Sequence, residues 1–278
     1  MKDAVPARES IDALLAEPGI DPAERRILMA HALRVSRTAL VTQAREAVNA
    51  QDNARYRALV ARRLAGEPIA YLVGRREFYG REFAVTPAAL IPRPETELLV
   101  ELSLARLEPA CHGHVLDLGT GSGIVAVTLA LERCAAHVTA VDVSEAALEL
   151  ARANAATLGA RVQFVRSDWY ASLAAQRYHL IVANPPYVAA GDVHLTQGDL
   201  RFEPVGALTD HADGLTALRA IIAGGRRWLS PGAWLLVEHG YDQAAAVAAL
   251  FEAAGYIEAT CWRDLAGVER ASGARAPG

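Results

Sequence analysis

The chain has 278 residues, 28 Lys+Arg against 32 Asp+Glu, and 52% apolar residues; such a length suits one large domain or two modest ones, and such a core excludes wholesale disorder. No apolar run approaches the roughly 20 residues of a membrane span, and the start, Met1-Lys2-Asp3-Ala4-Val5-Pro6, lacks the basic-then-apolar pattern of a secretory signal. Three widely spaced cysteines, Cys111, Cys134 and Cys261, fit reduced, mostly buried thiols in a cytoplasmic protein better than a disulfide scaffold or a metal centre.

Charge divides unevenly along the chain. Residues 1–90 hold 14 Lys+Arg and 11 Asp+Glu, net +3, whereas residues 91–278 hold 14 and 21, net −7. A basic front on an acidic body can steer an acidic partner, or it can be an ordinary solvated helical surface; the residues alone leave both open. Lys2 is the sole lysine, which excludes Schiff-base chemistry on an internal lysine.

Residues 1–74 read as short helices. Asp21-Pro22-Ala23-Glu24 places an N-cap, a proline at the first helical position and an acid at the third, with Ile27, Leu28, His31 and Val35 following at helical spacing. A further helix is expected from near Asn53 to Leu64, with Tyr56, Leu59, Val60 and Leu64 inward and Gly66 ending it. No chemistry-bearing cluster lies here, so this part reads as a helical docking module. Residues 75–90 form a linker in which the pattern from Glu77 to Thr86 predicts a β-hairpin around Gly80-Arg81. Ile91-Pro92-Arg93-Pro94-Glu95-Thr96-Glu97 then opens a helix carrying Leu98, Leu99, Leu102 and Leu107. Proline and acids belong in a first helical turn, and a rigid Pro-Arg-Pro segment equally suits a lid over a ligand.

From residue 114 strands and helices alternate: strands at 114–118, 137–141, 162–165, 178–183 and 234–238, helices at 122–132, 145–158 and 242–254, and a last strand pair near 257–262 and 268–272. That alternation implies a parallel sheet covered on both faces, with ligands bound beyond the carboxyl ends of its strands.

The first of these strands runs into Asp117-Leu118-Gly119-Thr120-Gly121-Ser122-Gly123. Glycines there allow a tight turn and close approach of a ligand, and the following helix offers free amides. A dinucleotide fingerprint has glycine where Ile124 stands. Gly-x-Gly-x-Gly after an acidic strand residue suits S-adenosylmethionine, which has no pyrophosphate to cradle. Asp142, 19 residues beyond Gly123, is placed to accept from both ribose hydroxyls, with Ser144 the better helix cap. Asp168 and Trp169 after the third strand suit the adenine amino group and ring.

Asn184-Pro185-Pro186-Tyr187 closes the fourth strand, where a transferred methyl would lie. An amide nitrogen is a poor nucleophile because its lone pair is delocalised into the carbonyl. Acceptors aimed at both of its N–H bonds favour the pyramidal form; the Asn184 side-chain oxygen and the Pro185 carbonyl can be those acceptors. Tyr187 can pack on the flat substrate group and keep water out. Catalysis by positioning and electrostatics then needs no general base. The chain shows no Ser-His-Asp order, metal-ligand cluster or P-loop, and among eight scattered histidines only His239 stands near a strand end of interest.

These residues closely resemble the HemK-type protein-(glutamine-N5) methyltransferases. The resemblance spans nearly the whole chain and includes Glu67-Pro68-Ile69-Ala70-Tyr71, Arg76-Glu77-Phe78, the Ile91–Glu97 stretch, the glycine loop, Asn184 to Tyr187, Arg201-Phe202-Glu203-Pro204 and the segment from Arg263 to Arg270. The Ile91–Glu97 stretch is far more specific than the loop or the Asn-Pro-Pro-Tyr motif. Glu95 stands where the family commonly has Asp. The resemblance implies an α/β fold: a Rossmann-like class I S-adenosylmethionine-dependent methyltransferase sheet at 91–278, joined by a β-hairpin to a small N-terminal helical domain. It implies the substrate too, the glutamine of the Gly-Gly-Gln motif of class-1 peptide chain release factors, with S-adenosyl-L-methionine consumed and S-adenosyl-L-homocysteine released. It places the cofactor at Gly119 to Gly123, Asp142, Trp169 and Asn184, and the glutamine at Asn184 to Tyr187; the helical domain is expected to meet the release factor. Three rivals remain. An adenine-N6 nucleic-acid methyltransferase would use the same clamp but needs basic surface for phosphates, which the net −7 of the catalytic part does not offer, so no nucleic-acid substrate is expected. A glutamine methyltransferase acting on a ribosomal protein and a non-catalytic binding module are the others.

Overall fold

Side-chain caps start four of the five helices described in the first unit, and each such cap satisfies otherwise orphaned amides for about 1 kcal/mol. The computed structural model describes residues 9–108 and 112–278, so Lys2 and Cys111 lie outside the described residues. Ser10 caps α1 (Ile11–Leu15), Asp21 caps α2 (Pro22–Leu33), Ser36 caps α3 (Arg37–Thr42) and Asn49 caps α4 (Ala50–Leu64); α5 (Ile69–Val73) follows Pro68 without one.

Asp21 and Pro22 start α2 as their chemistry dictates, and the fully buried stripe keeps Leu28 of the apolar set read from the sequence. Arg25, Leu28, Met29 and Ala32 face inward at i, i+3, i+4 and i+7, whereas Ile27 and His31 are half-buried and Val35 lies beyond the left-handed cap at Arg34. The arginine hides that stripe in the sequence; its guanidinium donates to the Ile20 carbonyl at 3.3 Å. Helix α4 begins three residues before the expected Asn53, since Asn49 is the cap, and its Tyr56 and Leu59 are buried. Val60 is half-buried and packs against the same core, as expected, whereas Leu64 is exposed, contrary to its expected inward placement.

The second unit, Arg75–Gly278, opens with the hairpin β1 (Arg75–Phe78) and β2 (Arg81–Ala84). Its turn is Tyr79-Gly80 rather than Gly80-Arg81; both residues have positive φ, 51° and 71°, as a two-residue turn with the right twist requires. Phe78 and Phe83 are buried edge-to-face, 6.2 Å apart.

Seven strands build the main sheet: β3 (His114–Leu118), β4 (His137–Asp142), β5 (Val162–Arg166), β6 (Tyr178–Ala183), β7 (Leu229–Glu238), β8 (Ile257–Arg263) and β9 (Glu269–Arg275), in the order β5-β4-β3-β6-β7-β9-β8. The first five are parallel. Of the last two only β9 is reversed: it runs antiparallel to β7 and β8, because only a short turn joins β8 to β9 and a parallel return needs a crossover. The chain steps outward from β3 to β5, then returns to place β6 beside β3, which makes the β3/β6 border the switch point where ligands bind.

The helices are α6 (Glu97–Leu104), α7 (Ile124–Glu132), α8 (Glu145–Leu158), α9 (Val205–Leu208), α10 (Thr216–Gly225) and α11 (Ala244–Ala253). Alternate strand residues feed two cores. Val115, Leu180, Val182 and Leu236 pack with α6, α7 and the hairpin phenylalanines; Leu116, Ile181, Leu235 and Val237 pack with α10 and α11. Both faces are therefore buried, as the apolar strands require. Among the described residues no helix is long and apolar enough to cross a membrane. Cys134 and Cys261 are exposed, which corrects the expectation of buried thiols: one follows α7 in a loop and the other lies on the edge strand β8.

Candidate active site

Strand β3 carries Asp117 into the glycine turn, and its buried carboxylate organises that turn. Oδ2 accepts from the Thr120 hydroxyl at 2.7 Å and from the Ala126 amide at 3.2 Å, tying the loop to the first turn of α7. Burial pushes this carboxyl up to about 7. Gly123 is the N-cap of α7, with φ 84°; a Cβ there would meet Ala151 Cβ at 3.0 Å and Val127 Cγ2 at 3.3 Å. Gly119, with φ 71°, faces the Trp169 ring, which a Cβ would touch at 3.4 Å.

Asp142 ends β4 with both oxygens engaged on backbone: Oδ2 accepts from the Gly121 amide and Oδ1 from the Ser144 amide, each at 2.9 Å. Each oxygen keeps a further lone pair. Burial raises its proton affinity against the pull of these amides. Ser144, not Asp142, caps α8, its Oγ accepting from the Ala147 amide at 3.2 Å. Beyond β5, Ser167 accepts from the Ser172 amide and donates to the Trp169 carbonyl, holding Trp169 at φ 45°; Asp168 beside it is exposed.

Strand β6 ends at Ala183, so Asn184 emerges next to the glycine turn of β3. Its Nδ2 donates to Thr96 Oγ1 at 3.1 Å, which leaves Oδ1 as the free acceptor. Pro185 is buried. The Tyr187 phenol donates to Glu238 Oε1 at 3.2 Å, and Gln243 Nε2 donates to the Tyr187 carbonyl at 2.9 Å, so the turn is pinned from β7 and α11.

One cavity of about 300 Å³ gathers most of the expected residues: Asp117, Gly119, Thr120, Gly121, Ser122, Asp142, Asp168, Trp169, Asn184 and Pro186 line it. Its volume sits at the lower end of the roughly 300–1,000 Å³ range of small-molecule pockets. Gly123 lies just behind, supporting the loop; Pro185 and Tyr187 do not line the cavity. His239 is buried away from it, its ring nitrogens 2.8 Å from the Gly240 carbonyl and from Ser272 Oγ, and burial lowers its proton affinity.

Ile91, Arg93 and Thr96 line the same cavity, while Pro94–Thr96 forms the 3-10 turn that opens α6. The segment thus starts a helix and walls the cavity at once. Glu203, from the Arg-Phe-Glu-Pro motif, latches it: Oε2 accepts from the Ile91 amide at 2.9 Å and Oε1 pairs with Arg93. The Glu203 side chain is fully buried; burial raises its proton affinity and Arg93 opposes that. Asn154 in α8 holds the opposite wall, accepting from the Ala84 amide and donating to the Ala84 and Ser122 carbonyls. Thr96, Asn154, Glu203, Glu238 and Gln243 escaped sequence reasoning as site residues. Thr96 and Glu203 lie in stretches that the resemblance marks, and Asn154 leaves a signal of its own, a polar residue on the apolar face of an alanine-rich helix.

Comparison with known proteins agrees with this architecture. Residues 95–200 match the Methyltransferase small domain and residues 7–74 the PrmC N-terminal domain. A release factor glutamine methyltransferase of Burkholderia pseudomallei is 53% identical, with 100% of each chain covered, and one of Bordetella pertussis is 54% identical over 94% of this chain and 97% of that one. A methyltransferase from Pyrococcus furiosus, only 18% identical, shares the fold with TM-score 0.57 over 78% of this chain and 98% of its own. The sheet, its flanking helices and these matches establish the class I S-adenosylmethionine-dependent methyltransferase fold. With near-complete coverage at more than half identity, the chain belongs to the release factor glutamine methyltransferase family and is a methyltransferase.

Proposed function

We propose that this chain transfers a methyl group from S-adenosyl-L-methionine to the side-chain amide nitrogen, N5, of the glutamine in the Gly-Gly-Gln motif of class-1 release factors. The observation that carries the reading is the fixed polarity of Asn184: Thr96 holds its Nδ2, so Oδ1 is the atom left to accept an N–H at the cavity wall. The names of the relatives supply the substrate class.

The lining fits the donor. Asp142 keeps lone pairs for two ribose hydroxyls, Trp169 brings a flat ring to a lining that also holds Leu90 and Ile91, and the uncapped start of α7 suits a carboxylate. Bound there, S-adenosylmethionine supplies an electrophilic methyl on a positive sulfur. The protein's own residues then do three things. Asn184 Oδ1 and the Pro185 carbonyl grip the two N–H bonds of the glutamine amide and favour its pyramidal form. The ties from Thr96, Glu238 and Gln243 hold Asn184 to Tyr187 before the substrate arrives, so that little reorganisation remains. The wall formed by Ile91, Arg93 and Thr96 excludes water. The proton leaves after transfer, when the alkylated nitrogen has become acidic.

Mass spectrometry of release factor incubated with the enzyme and methyl-labelled S-adenosylmethionine tests this. One added methyl on the Gly-Gly-Gln glutamine is expected; labelling of a ribosomal protein or DNA instead would overturn it. Asp142→Ala should weaken S-adenosylmethionine binding by about 10- to 100-fold, the size of one or two lost hydrogen bonds to a charged group, while kcat at saturating cofactor stays within about threefold. Isothermal titration and initial rates separate the two quantities.

A further inference from the structure

Glu238 ends β7 beneath the Asn-Pro-Pro-Tyr turn and is 1% exposed. Two hydroxyl groups face its carboxylate: the Tyr187 phenol donates to Oε1 at 3.2 Å, and the Thr96 hydroxyl lies against it. Oε2 is buried without a hydrogen bond of normal geometry, which is costly for a carboxylate unless a nearby donor serves it. Thr96 is that donor. Its oxygen already accepts from Asn184 Nδ2 at 3.1 Å, so its single proton is left to point elsewhere. Arg270 on β9 attracts the Glu238 charge and Glu95 in the 3-10 turn repels it; His239 follows on the same strand but turns to Gly240 and Ser272.

We propose, building on the function above, that Glu238 is a positioning residue: its carboxylate takes the Thr96 proton and thereby decides which atom of the Asn184 amide faces the cavity. With Glu238 ionised, Thr96 donates to it and accepts from Nδ2, so Oδ1 faces the substrate. With Glu238 protonated, its O–H competes to donate into Thr96, which frees the Thr96 proton to turn to Asn184 Oδ1. The Asn184 amide then turns over and presents N–H to a substrate that itself brings N–H. Burial holds the Glu238 carboxyl up at about 7, which puts this reversal within the working range.

Above pH 7 the carboxylate is ionised and transfer is fast; as pH falls through about 7 the proton is taken up and kcat falls. Glu238→Gln carries a permanent donor. It should lower kcat about 10- to 100-fold, leave KM for S-adenosylmethionine within about twofold and abolish the acid limb of kcat near pH 7, while Glu238→Asp restores part of both. A Tm for Glu238→Gln within a few degrees of the parent's would exclude simple unfolding. A second measurement does not depend on the substrate: the side-chain amide protons of Asn184, identified by their loss in Asn184→Asp, are followed by NMR against pH. They should titrate near pH 7 in the parent and not in Glu238→Gln. Absence of that titration in the parent, or an acid limb unchanged in Glu238→Gln, overturns the proposal. Failure of the parent to methylate glutamine would instead sink the proposed function, and the amide titration would still decide the role of Glu238.

Discussion

Replacing Asn184 by Ala should lower kcat by about 10²- to 10³-fold, the cost of removing one pre-aligned acceptor at a reacting centre, while S-adenosylmethionine still binds within about threefold of the parent. The selectivity of that loss follows from position. Asn184 is one wall residue among many in the cavity, and the glycine turn and Asp142 remain intact without it. What disappears is the acceptor for one N–H of the substrate amide, and with it the bias toward a pyramidal nitrogen. Thr96 also loses its Nδ2 partner, but its hydroxyl keeps Glu238 within reach, so the fold should survive. Single-turnover rates beside a cofactor titration distinguish this from damage to the pocket. Equal losses in cofactor affinity and rate would mean that Asn184 holds the cofactor rather than the reacting amide.

Gly123→Ala should lower Tm by about 5–15 °C and abolish measurable cofactor binding. Two costs combine. A left-handed backbone at φ 84° costs an L-residue roughly 1–2 kcal/mol, and a Cβ placed 3.0 Å from Ala151 Cβ and 3.3 Å from its Cα adds overpacking of about 1–3 kcal/mol. In a domain of this size each kcal/mol shifts Tm by about 2–4 °C. The strain falls where α7 and α8 approach, and relief of it moves the amides that Asp117 and Asp142 hold in place. Gly121→Ala is the control. Its φ of 56° carries the backbone cost, but the nearest atom, Ala89 Cβ, lies 3.9 Å away, so only the smaller shift is expected. Thermal melts of the two variants should therefore differ clearly; equal melts would mean that packing behind the turn is slack.

Much of the fold was legible because local signals and the tertiary structure agree. The strands at 114–118 and 178–183 and the helix at 145–158 fall where apolar runs, glycine punctuation and the Ser144 cap place them. Helix α10 is not evident from sequence although Leu218, Ile221 and Ile222 recur at helical spacing, because it starts after Leu215 without a side-chain cap or an acid in its first turn and ends in two glycines. The antiparallel end of the sheet follows from the short turn between β8 and β9, a feature of connection length and not of strand composition.

The cavity divides in the same way. Its floor, the glycine turn and Asn184, is read from contiguous residues whose chemistry is local. Its supports are not contiguous. Glu203 reaches Ile91 and Arg93 from more than a hundred positions away, Glu238 serves Tyr187 and Thr96, and Gln243 pins Tyr187. Glu203 stands in a recognisable motif, but Glu238 and Gln243 look in sequence like any surface residue; only the three-dimensional arrangement shows what each of the three engages.

A crystal structure of the enzyme with S-adenosyl-L-homocysteine and a Gly-Gly-Gln peptide would test the central claim most directly. Asn184 Oδ1 and the Pro185 carbonyl should each lie about 2.8–3.1 Å from the glutamine amide nitrogen, with that nitrogen aimed at the cofactor sulfur. A glutamine amide bound elsewhere, or Asn184 to Tyr187 turned away from the sulfur, would contradict the account.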